Sequence, residues 1–377
     1  MTAVALQAPA VGSHPQRAIE PWTGKEPGIY FGLPEDDYHK DPALSSSGIR
    51  KLLTSPLDFW VNSPLNPAFV DEKTEAMIVG TAFHRRLLEP ERFAQLYAVA
   101  PAREDYPDAV DGAEDLRKLC ADLGVKKSGT IADMCERILE ANPGAELWPV
   151  IKAGLLKQTA GKIVLRPSVQ SDIERAARIV LMHQAAVRAM SGGYAEVSIF
   201  WIDPESGVRL KARLDYLKVK AIVDLKTFSN PLGKPIGSAV ASAVANGGYH
   251  VQAVMYDQAV KAAKYLLRTQ KSAAVHFVGH DVPNDWLTSF AACENHAFVF
   301  VFIEQGPVTN VVVREFRRVD GNGGTENIAW SAGRNGIREA IRTYETCMAT
   351  HGPDKPWIVD YPMAPFSDVE FPIWMMN

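Results

Sequence analysis

Two aspartates and a lysine in the middle of the chain are spaced so that they could do chemistry together. Asp215 lies in an alternating, strand-like stretch, and the D-L-K sequence from Asp224 to Lys226 directly follows an apolar run. Two neighbouring strands can bring both carboxylates close together, and residues two apart on a strand share one face, so Lys226 lies on the side of Asp224. Mg²⁺ prefers such oxygen ligands, and hydrolysis of a phosphodiester needs a metal-activated water and stabilisation of negative charge. The pattern indicates a metal-dependent hydrolase centre, although the same charges are also common on the surface of edge strands.

The sequence around these residues alternates between strand and helix patterns. Strands are predicted over 195–203 and 208–219, which the turn 204–207 joins as a hairpin, and then over 220–228, 273–280, 297–304 and 309–319. Helices are predicted after the serines 45–47, and over 75–93, 169–190, 248–263 and 326–350. This order predicts a mixed α/β fold, in which helices pack on a central sheet.

A polar segment interrupts this pattern. Residues 113–122 and 130–141 are predicted as two short helices around a glycine-bounded loop. The stretch 114–139 resembles a SAP-type helix–loop–helix, a module that usually binds DNA. The resemblance implies that Lys126, Lys127 and the helix start near Thr130 face phosphates. The alternative is that this segment is a small helical insertion that binds no ligand.

Four regions follow from these observations. They are a disordered tail (1–27), an N-terminal helical part (28–103), an inserted SAP-like module (104–142) and a sheet-containing core (143–377).

The composition is that of an ordinary globular protein. Hydrophobic residues make up 47% and charged residues 22% of the 377 residues, and no apolar run is long enough to cross a bilayer. The net charge of −4 requires that any nucleic-acid groove be basic only locally. The tryptophans Trp60, Trp201 and Trp330 are expected in the core rather than stacked on bases. The N-terminus has no secretory pattern, so a cytoplasmic location is expected.

The cysteines carry no metal-cluster pattern. None of the four forms a C-x-x-C pair, so unpaired thiols are predicted: Cys120, Cys135, Cys293 and Cys347.

Four motifs in a fixed order resemble the PD-(D/E)xK nuclease superfamily in its RecB-like branch. They are G-x-x-x-H ending at His84, RLDYL around Asp215, IVDLKT around Asp224, and Q-x-x-x-Y from Gln252 to Tyr256. Longer phrases, among them YHKDPALSSSGIRKLLTSP, GTAFHRRLLEPERF, GYHVQAVMYDQAV and the terminal FPIW, resemble RecE-type exonucleases, also called exonuclease VIII. The resemblance runs from about residue 28 to the C-terminus. It implies a restriction-endonuclease-like core in which a central mixed sheet is flanked by helices.

The resemblance also implies a metal site. Its ligands would be the His84 imidazole, Asp215, Asp224 and the Leu225 carbonyl, and the cofactor would be Mg²⁺, for which Mn²⁺ can substitute. Glu196 would bind a second metal or water, or would serve as a structural ion-pair partner, and both possibilities stay open.

The remaining roles concern catalysis and DNA. Lys226 would be the catalytic lysine, and Gln252 and Tyr256, one helical turn apart, would hold DNA or orient Lys226.

By this resemblance the chain is expected to be a Mg²⁺-dependent exonuclease that degrades linear double-stranded DNA from 5′ to 3′ during phage-type recombination. A single-strand annealing protein of the RecT type is the expected partner, and a ring-shaped homo-oligomer is the expected assembly. The alternatives are a RecB-like or Cas-type nuclease on single strands, and a catalytically silent DNA-binding scaffold.

Overall fold

The structure, a computed structural model, describes residues 24–70, 74–279, 281–306, 308–319, 324–360 and 365. Its strands are β1 (Gly28–Phe31), β2 (Tyr97–Val99), β3 (Ile163–Leu165), β4 (Tyr194–Ile202), β5 (Arg209–Leu217), β6 (Ala221–Phe228), β7 (Val275–Phe277), β8 (Ala297–Glu304) and β9 (Val311–Glu315). Its α-helices are α1 (Glu35–Lys40), α2 (Ser46–Thr54), α3 (Pro56–Val61), α4 (Glu75–Leu88), α5 (Pro90–Leu96), α6 (Ala113–Asp122), α7 (Ile131–Ala141), α8 (Trp148–Gln158), α9 (Pro167–Met182), α10 (Gln184–Ala189), α11 (Ile236–Asn246), α12 (Tyr249–Gln270), α13 (Asn284–Ala292) and α14 (Ile328–His351).

A seven-stranded, mostly antiparallel sheet forms the centre, in the order β7-β1-β4-β5-β6-β8-β9. Two pairs, β1 with β7 and β6 with β8, are parallel. The predicted hairpin is present as β4 and β5, and its turn is closed by hydrogen bonds between the backbones of Asp203 and both Val208 and Gly207. Strands β2 and β3 form a separate parallel pair. The predicted mixed α/β fold with a helix-flanked central sheet is therefore confirmed.

The two faces of the sheet bury different helices. Alternate residues of β6 point to opposite sides, so Ile222 packs in one core cluster while Val223 and Leu225 pack in the other. The first cluster contains residues of α2, α3, α11, α12, α13 and α14. The second contains residues of α4, α5, α9 and α10. The tryptophans Trp60, Trp201 and Trp330 are all buried, as predicted.

Local sequence explains where the site-bearing helices begin and end. The Thr74 hydroxyl accepts a hydrogen bond from the Met77 N–H and starts α4. The helix stops before Pro90, because a residue that precedes proline avoids the helical region, and Pro90 then opens α5. Helix α12 begins after Gly248, whose φ of +59° is in the left-handed region that glycine adopts without strain.

The polar segment forms a small unit with its own core. Buried residues of α6 and α7, together with Leu147, make a separate hydrophobic cluster. A backbone bridge between Val110 and Leu147 closes the base of the unit. The packed unit therefore spans 110–147 and extends past the predicted boundary at 142.

Several elements differ from the sequence-based expectations. The helix predicted over 169–190 is two helices, because His183 adopts an extended conformation and its Nδ1 accepts a hydrogen bond from the first turn of α10. The strand predicted over 273–280 starts only at Val275, after a 3₁₀ turn, and residue 280 lies outside the described residues. Strands β1, β2 and β3 and the helices α1, α8, α11 and α13 were not predicted, and the helix predicted over 75–93 is divided at Pro90 into α4 and α5. The predicted tail lies outside the described residues up to residue 23, and so does the terminal FPIW segment.

Two further expectations concern cysteines and membranes. All four cysteines are free thiols, as predicted. None of the helices in the described ranges combines the length and the apolar character that crossing a membrane would require.

Candidate active site

The site lies where β5 and β6 stop pairing. Their antiparallel ladder consists of Tyr216 opposite Val223 and Leu217 opposite Ile222. Continuing this register by one pair would place Asp215 opposite Asp224, but the ladder ends before that pair. Instead, the Asp215 Oδ2 accepts a hydrogen bond of 2.7 Å from the Leu225 N–H. A carboxylate thus replaces the backbone partner at this point, and the two strands open around the site.

A compact group of possible metal ligands forms on the α4 side of this opening. One ligand atom each from His84, Glu196 and Asp215 lie within 4.8 Å of one another. The His84 Nδ1 is 3.6 Å from the Asp215 Oδ2. The three residues come from α4, β4 and β5, so the structure brings His84 to two residues that are more than a hundred positions away in sequence.

Glu196 reaches this group through an irregular backbone. It lies within β4, and its φ is +55°, which is rare for a residue other than glycine. Residues on either side keep the register with β5, which places Glu196 opposite Asp215. The Glu196 Oε2 also accepts a hydrogen bond of 2.6 Å from the Arg213 Nε. Glu196 is therefore both an ion-pair partner and a member of the ligand group, and its left-handed backbone is the kind of local strain that concentrates at functional sites.

Asp224 and Lys226 form the second half of the site, on the α12 side. The Lys226 Nζ is 2.5 Å from the Asp224 Oδ2, and Asp224 is fully buried. The Asp224 Oδ1 accepts a hydrogen bond of 3.0 Å from the Gln252 Nε2, which donates a second one of 2.9 Å to the Tyr256 hydroxyl. Gln252 and Tyr256 are also buried. Their contacts hold Asp224 rather than Lys226, and their predicted contact with DNA stays a prediction.

Burial raises the pKa values of the three carboxylic acids Glu196, Asp215 and Asp224, and repulsion between them disfavours ionisation of all three at once. Burial, only partly opposed by Arg213, raises the pKa of Glu196 to about 7. Burial raises the pKa of Asp224 to about 6 although Lys226 opposes the shift, and the neighbouring Asp215 adds to it. The pKa of Asp215 is also raised by burial, against the influence of Lys226. Such a cluster gains from a bound cation, which would compensate the negative charge.

The pKa values of the two basic groups, His84 and Lys226, are shifted in opposite directions. Burial and the Lys226 ammonium lower the pKa of His84 to about 4, so its imidazole is neutral at pH 7 and its nitrogens can bind a metal. Burial alone would lower the pKa of Lys226, but Asp224 and Asp215 outweigh it and raise that pKa. Lys226 therefore keeps its positive charge beside the carboxylates.

These residues fit a divalent metal ion. One imidazole and two carboxylates supply nitrogen and oxygen donors of the type that Mg²⁺ and Mn²⁺ accept. Among the residues that the structure describes, the buried Asp224 Oδ2 accepts no well-directed hydrogen bond, and its contact is the ion pair with Lys226. The sequence predicted Asp224 as a ligand together with His84 and Asp215. In the structure the third member of the compact group is Glu196, and Asp224 lies next to the group. The Leu225 carbonyl faces the Lys226 Nζ at 3.4 Å, so its role as a metal ligand stays a prediction.

The two lysines that the sequence predicted to contact DNA lie in the inserted unit. Lys126 and Lys127 are exposed on the loop between α6 and α7. The start of α7 is closed by a reciprocal capping box between Thr130 and Asp133, which places a carboxylate where a phosphate was expected. The lysines are therefore exposed to solvent, whereas the helix start already has an anionic partner, and contact of the lysines with DNA stays a prediction.

Two residues of the site were not predicted. Arg213 pairs with Glu196 and also donates to the Leu33 carbonyl and the Ser198 hydroxyl. Tyr249 places its ring 5.1 Å from the Lys226 Nζ. Spacing could have indicated both, because Arg213 precedes Asp215 by two residues on a strand and Tyr249 precedes Gln252 by three on a helix.

Comparison with known protein families identifies the family of this chain. No curated protein matches the sequence. Among solved structures, a crystal structure of a candidate exonuclease from Eubacterium rectale is similar, with 12% sequence identity and a TM-score of 0.42 over 89% of this chain and 97% of that one. The PDDEXK-like domain of unknown function (DUF3799) matches residues 45–279, which include every residue of the site. Because this match covers more than half of the chain, the protein belongs to the PDDEXK-like DUF3799 family.

Proposed function

We propose that this protein is a divalent-metal-dependent deoxyribonuclease that degrades linear double-stranded DNA from an end. The observation that carries the proposal is the convergence of His84, Glu196 and Asp215 within 4.8 Å, next to the buried Asp224–Lys226 pair. Membership of a PDDEXK-like family supports the same reaction class.

Each residue of the site has a chemical task in this proposal. His84, Glu196 and Asp215, with Asp224 beside them, would hold Mg²⁺ or Mn²⁺, which when bound supplies an activated water and neutralises phosphate charge. The Lys226 ammonium, which remains protonated, stabilises the negative charge that develops on the phosphate oxygens. Gln252 fixes the orientation of Asp224 through its hydrogen bond to Oδ1. Arg213 fixes Glu196 in the same way.

The finer properties rest on the sequence resemblance to RecE-type exonucleases. They are the 5′ to 3′ direction, the preference for Mg²⁺, a role in phage-type recombination, a ring-shaped homo-oligomer and a single-strand annealing partner of the RecT type. A cytoplasmic location belongs to the same proposal.

A linear duplex that carries a label at either the 5′ or the 3′ end tests the function. Cleavage is measured with Mg²⁺, with Mn²⁺ and with EDTA, and a covalently closed circle and a single strand of the same sequence serve as alternative substrates. We expect metal-dependent release of mononucleotides from the 5′-labelled duplex and no attack on the circle. Asp224→Asn should be inactive, whereas Asp354→Asn, at an exposed aspartate outside the site, should match the wild type.

The other outcomes identify the alternatives. Degradation of the single strand alone would favour a RecB-like single-strand nuclease. Binding of DNA without cleavage under any metal condition would favour a silent recombination scaffold and would refute the proposal.

A further inference from the structure

The ammonium group of Lys226 lies against an aromatic ring that no sequence motif assigned. The Lys226 Nζ is 5.1 Å from the centroid of the Tyr249 ring, at the first residue of α12. The same ammonium also lies 2.5 Å from the Asp224 Oδ2. The side chain of Lys226 is only 13% exposed, so both contacts operate largely out of water. A cation over an aromatic face is attracted most strongly when it is desolvated in this way.

The sheet fixes the place of this ring. In the parallel register of β6 with β8, Asp224 is opposite Phe300 and Lys226 is opposite Phe302. Tyr249 packs over both phenylalanines, with ring centroids 6.3 and 6.4 Å away. The Tyr249 ring, at the start of α12, thus contacts Lys226 of β6 and the two phenylalanines of β8.

A glycine leaves the room that the ring needs. A Cβ built at Gly247 would lie 2.6 Å from the Tyr249 Cζ, which is closer than real Cβ atoms come to other atoms. Gly247 also accepts a hydrogen bond at its carbonyl from Arg50, which anchors the chain before α12. The Gly247–Gly248 pair therefore does two things: it turns the chain into α12, and it lets the Tyr249 ring lie back over the site.

We propose that Tyr249 is a positioning residue for Lys226, whose ring holds the ammonium beside Asp224 in the orientation needed for phosphodiester cleavage. The proposal rests on the nuclease function proposed above. The ring acts through its face, so the hydroxyl is dispensable and the aromatic system is not. The site motif on α12 accordingly runs from Tyr249 through Gln252 to Tyr256, three residues that share one face of the helix.

The test separates the ring from the hydroxyl. Tyr249→Leu removes the aromatic face and keeps an apolar side chain, while Tyr249→Phe removes only the hydroxyl. We expect Tyr249→Leu to lower kcat about 10- to 30-fold with little change in KM, and Tyr249→Phe to restore kcat to within about threefold of the wild type. Tyr265→Leu, at an exposed tyrosine on the same helix, is the matched control and should leave both constants unchanged.

Two further variants exclude a merely structural effect. In a Lys226→Met background, adding Tyr249→Leu should cost little more activity, because the group that it positions is already absent. Gly247→Ala, which keeps the ring but displaces it, should lower kcat in the same direction as Tyr249→Leu. Thermal melting checks that each variant is folded, and Tyr249→Met provides a second ring-free side chain if Tyr249→Leu is not.

The possible results are distinct from those that test the nuclease function itself. An inactive wild type refutes the proposed function. An active wild type with Tyr249→Leu at full kcat, or with Tyr249→Phe as impaired as Tyr249→Leu, overturns the role of the ring. Equal losses from Tyr249→Leu in the presence and absence of Lys226 would assign the effect to packing and would also overturn it.

Discussion

Asp224→Asn should separate the catalytic role of Asp224 from its effect on folding. The carboxylate is fully buried between Lys226 and Gln252. An asparagine has nearly the same shape, and its carbonyl oxygen can accept the hydrogen bond from Gln252. The substitution removes the charge and leaves the packing almost unchanged. We expect loss of DNA cleavage together with a gain of stability in the metal-free protein.

The size of the gain follows from the pKa of Asp224. Burial raises it from 3.8 to about 6, so keeping the group ionised in the folded protein at pH 8 costs about 3 kcal/mol, at roughly 1.4 kcal/mol per unit. The new amide N–H₂ cannot accept from the Lys226 ammonium, which reduces the benefit. A net gain of about 1–3 kcal/mol in the free energy of unfolding is expected.

The sign of the pH dependence is fixed by the direction of the shift. The folded protein holds the Asp224 proton more tightly than the unfolded chain, so the wild type loses stability as the pH rises from 3.8 through about 6. The asparagine variant lacks this loss. Its advantage should therefore be small near pH 4, grow between pH 4 and 6, and be complete by about pH 8.

Urea unfolding in EDTA at pH 4.5 and at pH 8 measures this advantage, with Asp354→Asn as the exposed control. Adding Mn²⁺ should raise the melting temperature of the wild type more than that of Asp224→Asn, because a ligand that binds only the folded state stabilises it. An Asp224→Asn protein that is less stable than the wild type in EDTA at pH 8 would refute the reasoning about crowded carboxylates. Cleavage above about a tenth of the wild-type rate would refute the catalytic assignment.

Three other predictions concern regions away from this pair. Lys211→Met should lower the free energy of unfolding by about 1–3 kcal/mol in urea titrations, because the buried Lys211 Nζ donates to backbone carbonyls that would lose their partner. Lys220→Met, at an exposed position, is the control and should have little effect. Arg338→Ala should destabilise the protein at pH 7, and the difference should shrink as the pH falls below about 4, because Arg338 and Ser206 outweigh burial and hold the pKa of Asp203 below its usual value; a difference that persists at pH 3 would contradict this. Replacing 110–147 by a short Gly-Ser linker should spare cleavage of short duplexes but weaken the affinity for long DNA and reduce the salt dependence of that affinity, as measured by fluorescence anisotropy. Unchanged affinity and salt dependence would show that the unit does not bind DNA.

Much of the fold could be predicted from the sequence, because its strongest patterns are local. The hairpin of β4 and β5 and the apolar strands β6 and β8 have alternating or continuous hydrophobic residues that fit a sheet with two buried faces. Strand β1 has only four residues, and its pairing with β7 joins segments more than two hundred positions apart. No local pattern specifies such a contact, so sequence reasoning did not find it.

The site was predictable in its residue types and less so in its geometry. The order of the motifs indicated His84, Asp215, Asp224 and Lys226, and the structure places His84 against Asp215 and Lys226 against Asp224. The sequence left open whether Glu196 binds a metal or forms an ion pair, and it did not indicate the left-handed backbone with which Glu196 joins the donor group. Backbone strain of this kind depends on the surrounding packing, because an isolated glutamate would avoid that conformation.

The irregular pairing at the site explains why Asp215 and Asp224 do different work. If the β5–β6 ladder continued, Asp215 and Asp224 would be paired through their backbones, and the strands would not open at the proposed metal site. Asp215 keeps the gap open at little cost, because its Oδ2 accepts the hydrogen bond of the Leu225 N–H. Among the residues that the structure describes, the partners of the Asp224 carboxylate are the side chains of Lys226 and Gln252. The Asp215 side chain therefore takes part in the hydrogen bonding of the sheet as well as in the site. The Asp224 side chain contacts other side chains of the site, and we therefore expect that Asp224 can be neutralised without loosening the fold.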